Sequence, residues 1–256
     1  MEAKTIDEVI VLLEEIIQTS KIEESTLGYF AALYQRVTIA VKEKLYQNYF
    51  DDDVRMEQLD VIFANRYLVA YSNYKQGIKN TKSWDIAFKL AQNNELIVLQ
   101  HLVLGMNAHI NLDLGIAATQ VSHSSEMTQL QSDFNKINEL LASLVDEIKS
   151  DLSLVWRPLV WILKRVKKVD NFVINFSMGI ARDGAWKFAN ELAFETDKPN
   201  QDQVILLRDD KIAELAEQIL CKGALEKFLF KIIRFTESGS VSKKIDLLNK
   251  KIDLKP

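Results

Sequence analysis

A chain of 256 residues with 48% apolar and 27% charged side chains is long enough to bury a large core and too apolar to be a disordered chain. Its 32 basic and 36 acidic residues leave a net charge of −4, with no basic stretch of domain size, which argues against nucleic-acid binding. Eight glycines and three prolines are too few for a turn-rich β architecture, so the expected fold is all-α, a single multi-helix bundle-like domain over 1–256, with 200–256 as a C-terminal helical layer.

Thr5 followed by Glu8 forms a capping box, and Ile6, Val9, Leu13, Ile16 and Ile17 then fall on one helical face. A second helix is expected from about Ser25 to Tyr49, along Leu27, Phe30, Tyr34, Val37 and Val41, ending at the acidic run Asp51-Asp52-Asp53, which suits the start of the next helix. From Val54 to Gln76 the stripe Met56, Leu59, Phe63, Tyr67, Ala70 and Tyr74 runs to Gly77 in a C-cap setting. Ser83 can cap a short helix carrying Trp84 and Phe88. Further helices are expected near 94–119, 124–151, 155–168, 170–196, 208–221, 223–237 and 240–251, with Thr196 to Gln203 as the irregular loop.

The lone Cys221 excludes an intrachain disulfide and a Cys-based zinc site, and its apolar setting reads as packing. The N-terminal apolar run has acidic flanks and no small-residue cleavage site, so it does not read as a signal peptide; no transmembrane segment is found and a cytoplasmic location is expected.

Between Glu95 and Glu126 the only formally charged side chain is Asp113, although charges are frequent before and after, which marks this stretch as the buried central helix, about 95–120. Gln100, His101, Asn107, His109, Asn111 and Asp113 interrupt it too often for a membrane span. Each buried polar group needs a partner, because an unpaired one costs roughly 1–3 kcal/mol. His109 and Asp113, four residues apart, are neighbours on a helix and can share a hydrogen bond or a ligand. His101 lies roughly 12 Å further back along the helix, too far to share one metal ion. Gly105 between them reads as close helix packing.

The run His101-Leu-Val-Leu-Gly105-Met106-Asn107-Ala108-His109-Ile110-Asn111-Leu112-Asp113-Leu114 resembles an uncharacterised bacterial family of helical proteins, a domain of unknown function carrying a GMNAHIN-type signature. Weaker resemblances lie at Leu59 to Tyr67, Trp84 to Phe88 and Arg182 to Trp186. The resemblance implies relatives and no reaction. More distantly, the His-x-x-x-Asp pair is similar to that of zinc-dependent phospholipase C and related helical nucleases. That likeness implies metal ligation by His109 and Asp113, with His123 and Glu126 following. The three histidines here are too few for the metal cluster of those enzymes.

The leading expectation is an enzyme with a pocket lined by the polar groups of the 101–113 helix and acting on a small, partly apolar molecule. His109 is the acid/base group, Asp113 orients it, and Asn107 and Asn111 assist. His101, Arg66, Asp60 and Arg182 are candidate substrate-binding residues; the last three stand on otherwise apolar helices, where they either reach the same interior or form surface salt bridges. No cofactor is favoured. One alternative is a mononuclear hydrolase holding zinc or another divalent metal through His109, Asp113 and His123. Another is a helical binding or scaffold protein in which the cluster only fixes packing. The basic, aromatic run Trp156 to Lys168 reads first as a helix with a solvated end and second as a peripheral membrane contact. Lys243, Lys244, Lys250 and Lys251, interspersed with acidic residues, read as a solvated face.

Overall fold

In the computed structural model the described residues are 1–122, 127–137, 139–141, 178–220 and 224–250; they are helical with short connections and, among them, no strand. His123, Glu126, Cys221, Lys251 and the Trp156 to Lys168 run lie outside the described residues.

The helix ends follow the local chemistry. Helix α1 (Ile6–Ile22) starts where the Thr5 hydroxyl accepts from the Glu8 amide at 3.2 Å. Helix α2 (Leu27–Lys44) stops five residues short of the expected end, because Leu45 is extended and Tyr46 and Asn48 take positive φ values of 61° and 58°. That turn buries Phe50 and leads into Asp52, whose carboxylate caps helix α3 (Asp53–Lys75) through the Arg55 amide at 3.0 Å. The buried Asp133, on the helical segment 127–137, accepts from the amides of Asp51 and Asp52 at 2.6 and 3.1 Å, tying that segment to the start of α3. After α3, Gly77 takes a φ of 71°, the left-handed conformation expected of a glycine just past a helix.

Helix α4 (Lys82–Ala91) is capped differently from the expectation. The side chain of Ser83 does not close the turn; instead the amides of Lys82 and Ser83 donate to the two oxygens of Asp209, at 2.6 and 3.0 Å. Asp209 belongs to helix α8 (Lys198–Ile219), which occupies most of the stretch expected to be an irregular loop. Asp197 accepts from the Asn200 amide at 2.9 Å and a proline sits in the first turn, where its missing N–H costs nothing, so 198–203 is helical.

The central run, Val98 to Val121, is helical throughout but not one α-helix. Helix α5 (Val98–Ala108) passes through a π-helical turn at His109–Asp113 into α6 (Leu114–Val121). Helices α2, α4 and α8 pack around α5; α3, α8 and helix α7 (Met178–Phe194) pack around the wide turn. Gly105 serves close packing: a Cβ there would stand 2.6 Å from the ring of Phe30.

Helices α9 (Ala224–Thr236) and α10 (Val241–Leu248) close the other end, contributing Phe230, Ile233, Ile245 and Leu248 to the main core. Their polar contribution is Glu237, which accepts from the free Val98 amide of α5 at 2.8 Å and faces Arg234 and Lys244 at 3.3 and 3.4 Å. Lys244 is therefore buried, at 2% exposure, and not part of the solvated face expected of it. A carboxylate so placed complements the positive end of the central helix.

Candidate functional site

Asp113 closes the π-turn and is fully buried, yet it carries three donors from three helices. Its Oδ1 accepts from Nε of Arg66 on α3 at 2.9 Å, and its Oδ2 accepts from the indole N–H of Trp84 on α4 at 2.8 Å. The same Oδ2 lies 3.2 Å from Nδ1 of His109. Burial works against the Asp113 charge, but Arg66, the hydrogen bonds of His109 and Trp84, and the attraction of His109 outweigh it and hold the carboxyl below its ordinary range. A π-turn widens the helix and is less stable than the α form, which is why such turns concentrate where a side chain must be re-aimed.

The imidazole of His109 sits in an aromatic box. Phe63 lies flat against it, centroids 3.6 Å apart and planes 6° from parallel. Tyr34 meets it edge-on at 4.6 Å, with Phe30 at 5.7, Trp84 at 6.0 and Tyr67 at 6.2 Å. Burial pushes the His109 pKa below its ordinary value, against the opposing pull of Asp113. Its Nε2 and Oδ2 of Asp60 are buried without a hydrogen-bond partner among the described residues, and the Tyr34 hydroxyl has the Thr38 hydroxyl beside it. Asp60, raised by burial to about 7 with the Glu57 charge adding to the rise, is close enough for its charge to bear on Tyr34.

Beside the carboxylate, on the α3 and α4 side, a cleft of about 530 Å³ is lined by Arg66, Trp84, Ile62, Val69, Asn73 and Lys79, among others. The two donors that hold Asp113 are thus also walls of the cleft.

The structure therefore joins His109, Asp113 and Arg66, and brings Asp60 close to Tyr34. The other candidates are engaged elsewhere. Asn107 donates to the Ile212 carbonyl at 2.9 Å and accepts from Asn111 at 3.0 Å, while the Asn111 carbonyl accepts from Arg208 at 2.9 Å; these groups fasten the central run to α8. His101 packs against Tyr29 near Glu237, its pKa lowered by burial to about 4. Arg182 donates to the Phe134 carbonyl at 3.2 Å and lies over that ring, lowered by burial to about 9. Tyr34 was legible only as a member of an apolar stripe, and Phe63 and Trp84 as members of apolar stripes and of the weaker family-like blocks, without a role. Their one distinguishing sign was a polar tip on Tyr34 and Trp84, which needs a partner when buried.

The metal reading also needs His123, which lies outside the described residues. Both oxygens of Asp113 are taken by N–H donors that a divalent cation would have to displace, and no group of three His, Cys, Asp or Glu side chains gathers among the described residues. Nor is any helix among the described residues long and apolar enough to cross a membrane.

Fold and site together define an all-helical protein organised around a buried carboxylate at a π-turn. The chain belongs to the family of unknown function DUF5995, whose model matches residues 6–222. The match spans the central run and stops just before α9. No curated protein and no solved structure matches the chain.

Proposed function

We propose that the chain is an enzyme acting by acid/base chemistry on a small, partly apolar molecule, with His109 as the base and Asp113 as the carboxylate that orients it. One observation carries the reading: Nδ1 of His109 faces Asp113, while Nε2 is buried without a partner among the described residues. A neutral imidazole donates from one nitrogen and accepts at the other, so a carboxylate at Nδ1 selects the Nδ1–H tautomer and leaves the lone pair on Nε2. Burial keeps the ring neutral at pH 7 and hence competent as a base. A proton taken up at Nε2 creates an imidazolium that the adjacent Asp113 stabilises, as in other carboxylate–imidazole pairs. Tyr34, kept protonated because burial raises its pKa, offers a donor to oxygen on the bound molecule.

His109 is only 2% exposed, so the reading requires a wall of the aromatic box to move when the molecule binds.

The test is proton chemistry itself. Wild type, His109→Gln and Tyr34→Phe, each shown folded by circular dichroism, are incubated in deuterated buffer with small ketones and esters, and conversion or deuterium uptake is followed by NMR. The expected result is turnover by the wild type that His109→Gln lowers by about 100-fold or more. Equal rates in wild type and folded His109→Gln, or no turnover across the panel, overturn the base role on these compounds.

A further inference from the structure

We infer that the cleft beside Asp113 is a binding site for a small molecule bearing a carboxylate or phosphate group, recognised by the outer edge of Arg66. Naming this ligand as the substrate rests on the acid/base reading above; its binding rests on the cleft alone.

The starting point is how Arg66 is held. Its Nε donates to Asp113, and the side chain is 29% exposed against 1% for its partner. No partner binds Nη1 or Nη2 among the described residues, and the residue lines the cleft. A guanidinium held by its Nε edge and wet at its far edge keeps two parallel N–H vectors for one acceptor pair, the geometry that fits a carboxylate or phosphate in a fork. Asp113 takes only one of the five N–H donors of Arg66 and fixes the plane of the rest.

The surroundings select the same chemistry. Lys79, exposed at the rim, has no ion pair among the described residues, and Asn73 and Gln120 add amides that can donate, while the Asn80 amide already donates to the Ala70 carbonyl at 3.1 Å. Glu2 also lines the cleft and opposes an anion near itself. With Asp113 offsetting Arg66, the net field is weak, so recognition comes from directed donors and not from bulk charge. Ile62, Val69 and Trp84 supply the apolar wall, and the indole of Trp84 is fixed because its N–H is held by Asp113. A cleft of about 530 Å³ suits a molecule of metabolite size with an apolar body and one anionic end.

Occupation changes Asp113 as well. An anion on the outer edge of Arg66 draws the guanidinium charge away from the carboxylate, which shifts the balance that keeps Asp113 ionised and His109 oriented. Binding in the cleft and the state of His109 are thereby coupled through a single arginine.

The test is titration of the full chain, labelled with ¹⁵N, with phenylacetate, phenyl phosphate, inorganic phosphate and the uncharged phenylacetamide. The expected result is saturable shifts of the Trp84 indole N–H and the Arg66 Nε–H with at least one organic anion, and none with phenylacetamide. Phenylacetate against phenyl phosphate separates a carboxylate ligand from a phosphate ester, and inorganic phosphate tests the anionic end alone. Arg66→Lys, which keeps the charge and loses the fork, weakens binding about tenfold or more, and Lys79→Gln about two- to fivefold. The wild-type titration stands even if Arg66→Lys fails to fold. Anion binding by the wild type without turnover of any compound in the panel retains the site and discards the base role. No shift at Trp84 or Arg66 with any anion, or equal shifts with phenylacetamide, overturns the proposal.

Discussion

The indole N–H of Trp84 donates at 2.8 Å to the same Asp113 oxygen that faces His109. The carboxylate that orients the histidine is thus itself held from α4, while Arg66 holds its other oxygen from α3. Three helices meet at one buried charge, and removal of that charge leaves three donors pointing at a group that can no longer serve them.

Asp113→Asn therefore destabilises strongly. Loss of one member of a buried pair costs about 3–5 kcal/mol, and the partial exposure of Arg66 places this case near the lower end. Denaturant unfolding measures it; Trp84→Phe, which removes one donor and shrinks the buried indole to a phenyl ring, costs about 2–4 kcal/mol on the same assay.

Asp60 gives a pH dependence of definite sign. Its folded pKa is raised from 3.8 to about 7, so between those values the folded state holds a proton that the unfolded state has lost. Stability from this group is present below about pH 4 and falls as pH rises toward 7. Asp60→Asn removes the penalty: the variant is more stable than wild type at pH 8, on the order of 4 kcal/mol, and the two converge near pH 4. Chemical denaturation across that range measures the difference.

The buried histidines contribute the opposite slope. His109 and His101 both have folded pKa values below the ordinary 6.5, so the unfolded state binds their protons first as pH falls. Stability held by keeping them neutral is lost below about pH 6.5, and the loss levels off for His101 near pH 4. His101→Leu flattens the acid limb of the stability curve without altering the Asp113 cluster, which the Trp84 indole resonance reports.

Much of this was legible in sequence because local chemistry decided it. Thr5, Asp52 and Gly77 end helices in the ways their side chains or lack of one require, and a charge-poor stretch with Asp113 at its centre announced a buried helix. The His109–Asp113 pair follows from spacing, whereas Arg66 was one of three charges on apolar helices for which the sequence left interior and surface roles equally open. Longer-range contacts decided the rest. The π-turn depends on what packs around it, Asn107 and Asn111 answer to a carbonyl on α8, and Lys244 is buried because Glu237 is waiting for it. No local pattern distinguishes Trp84 or Tyr34 from other aromatics facing a core.

The C-terminal helices lie beyond the family match and still complete the core, so a chain ending at residue 222 exposes apolar surface on α1 and α2 and loses the Glu237 cap. Such a truncation should unfold at lower denaturant or aggregate. Glu237→Ala in the full chain isolates the polar part, costing about 2–4 kcal/mol because Lys244 is left buried without its partner.

Gly105→Ala tests the packing of the central run. The added methyl would meet Phe30, which itself walls His109, so a loss of about 1–3 kcal/mol and a shift of the His109 resonances are expected together.

The most direct measurement is ¹⁵N NMR of the imidazole of His109 in protein labelled at histidine, assigned with His109→Gln and recorded from pH 5.5 to 8. The expected spectrum at pH 7 and above is a neutral ring protonated at Nδ1, with Nε2 bare and Nδ1–H lost from its position in Asp113→Asn. A ring protonated at Nε2, or an imidazolium at pH 7, would contradict the account, since neither leaves a lone pair where the base must be.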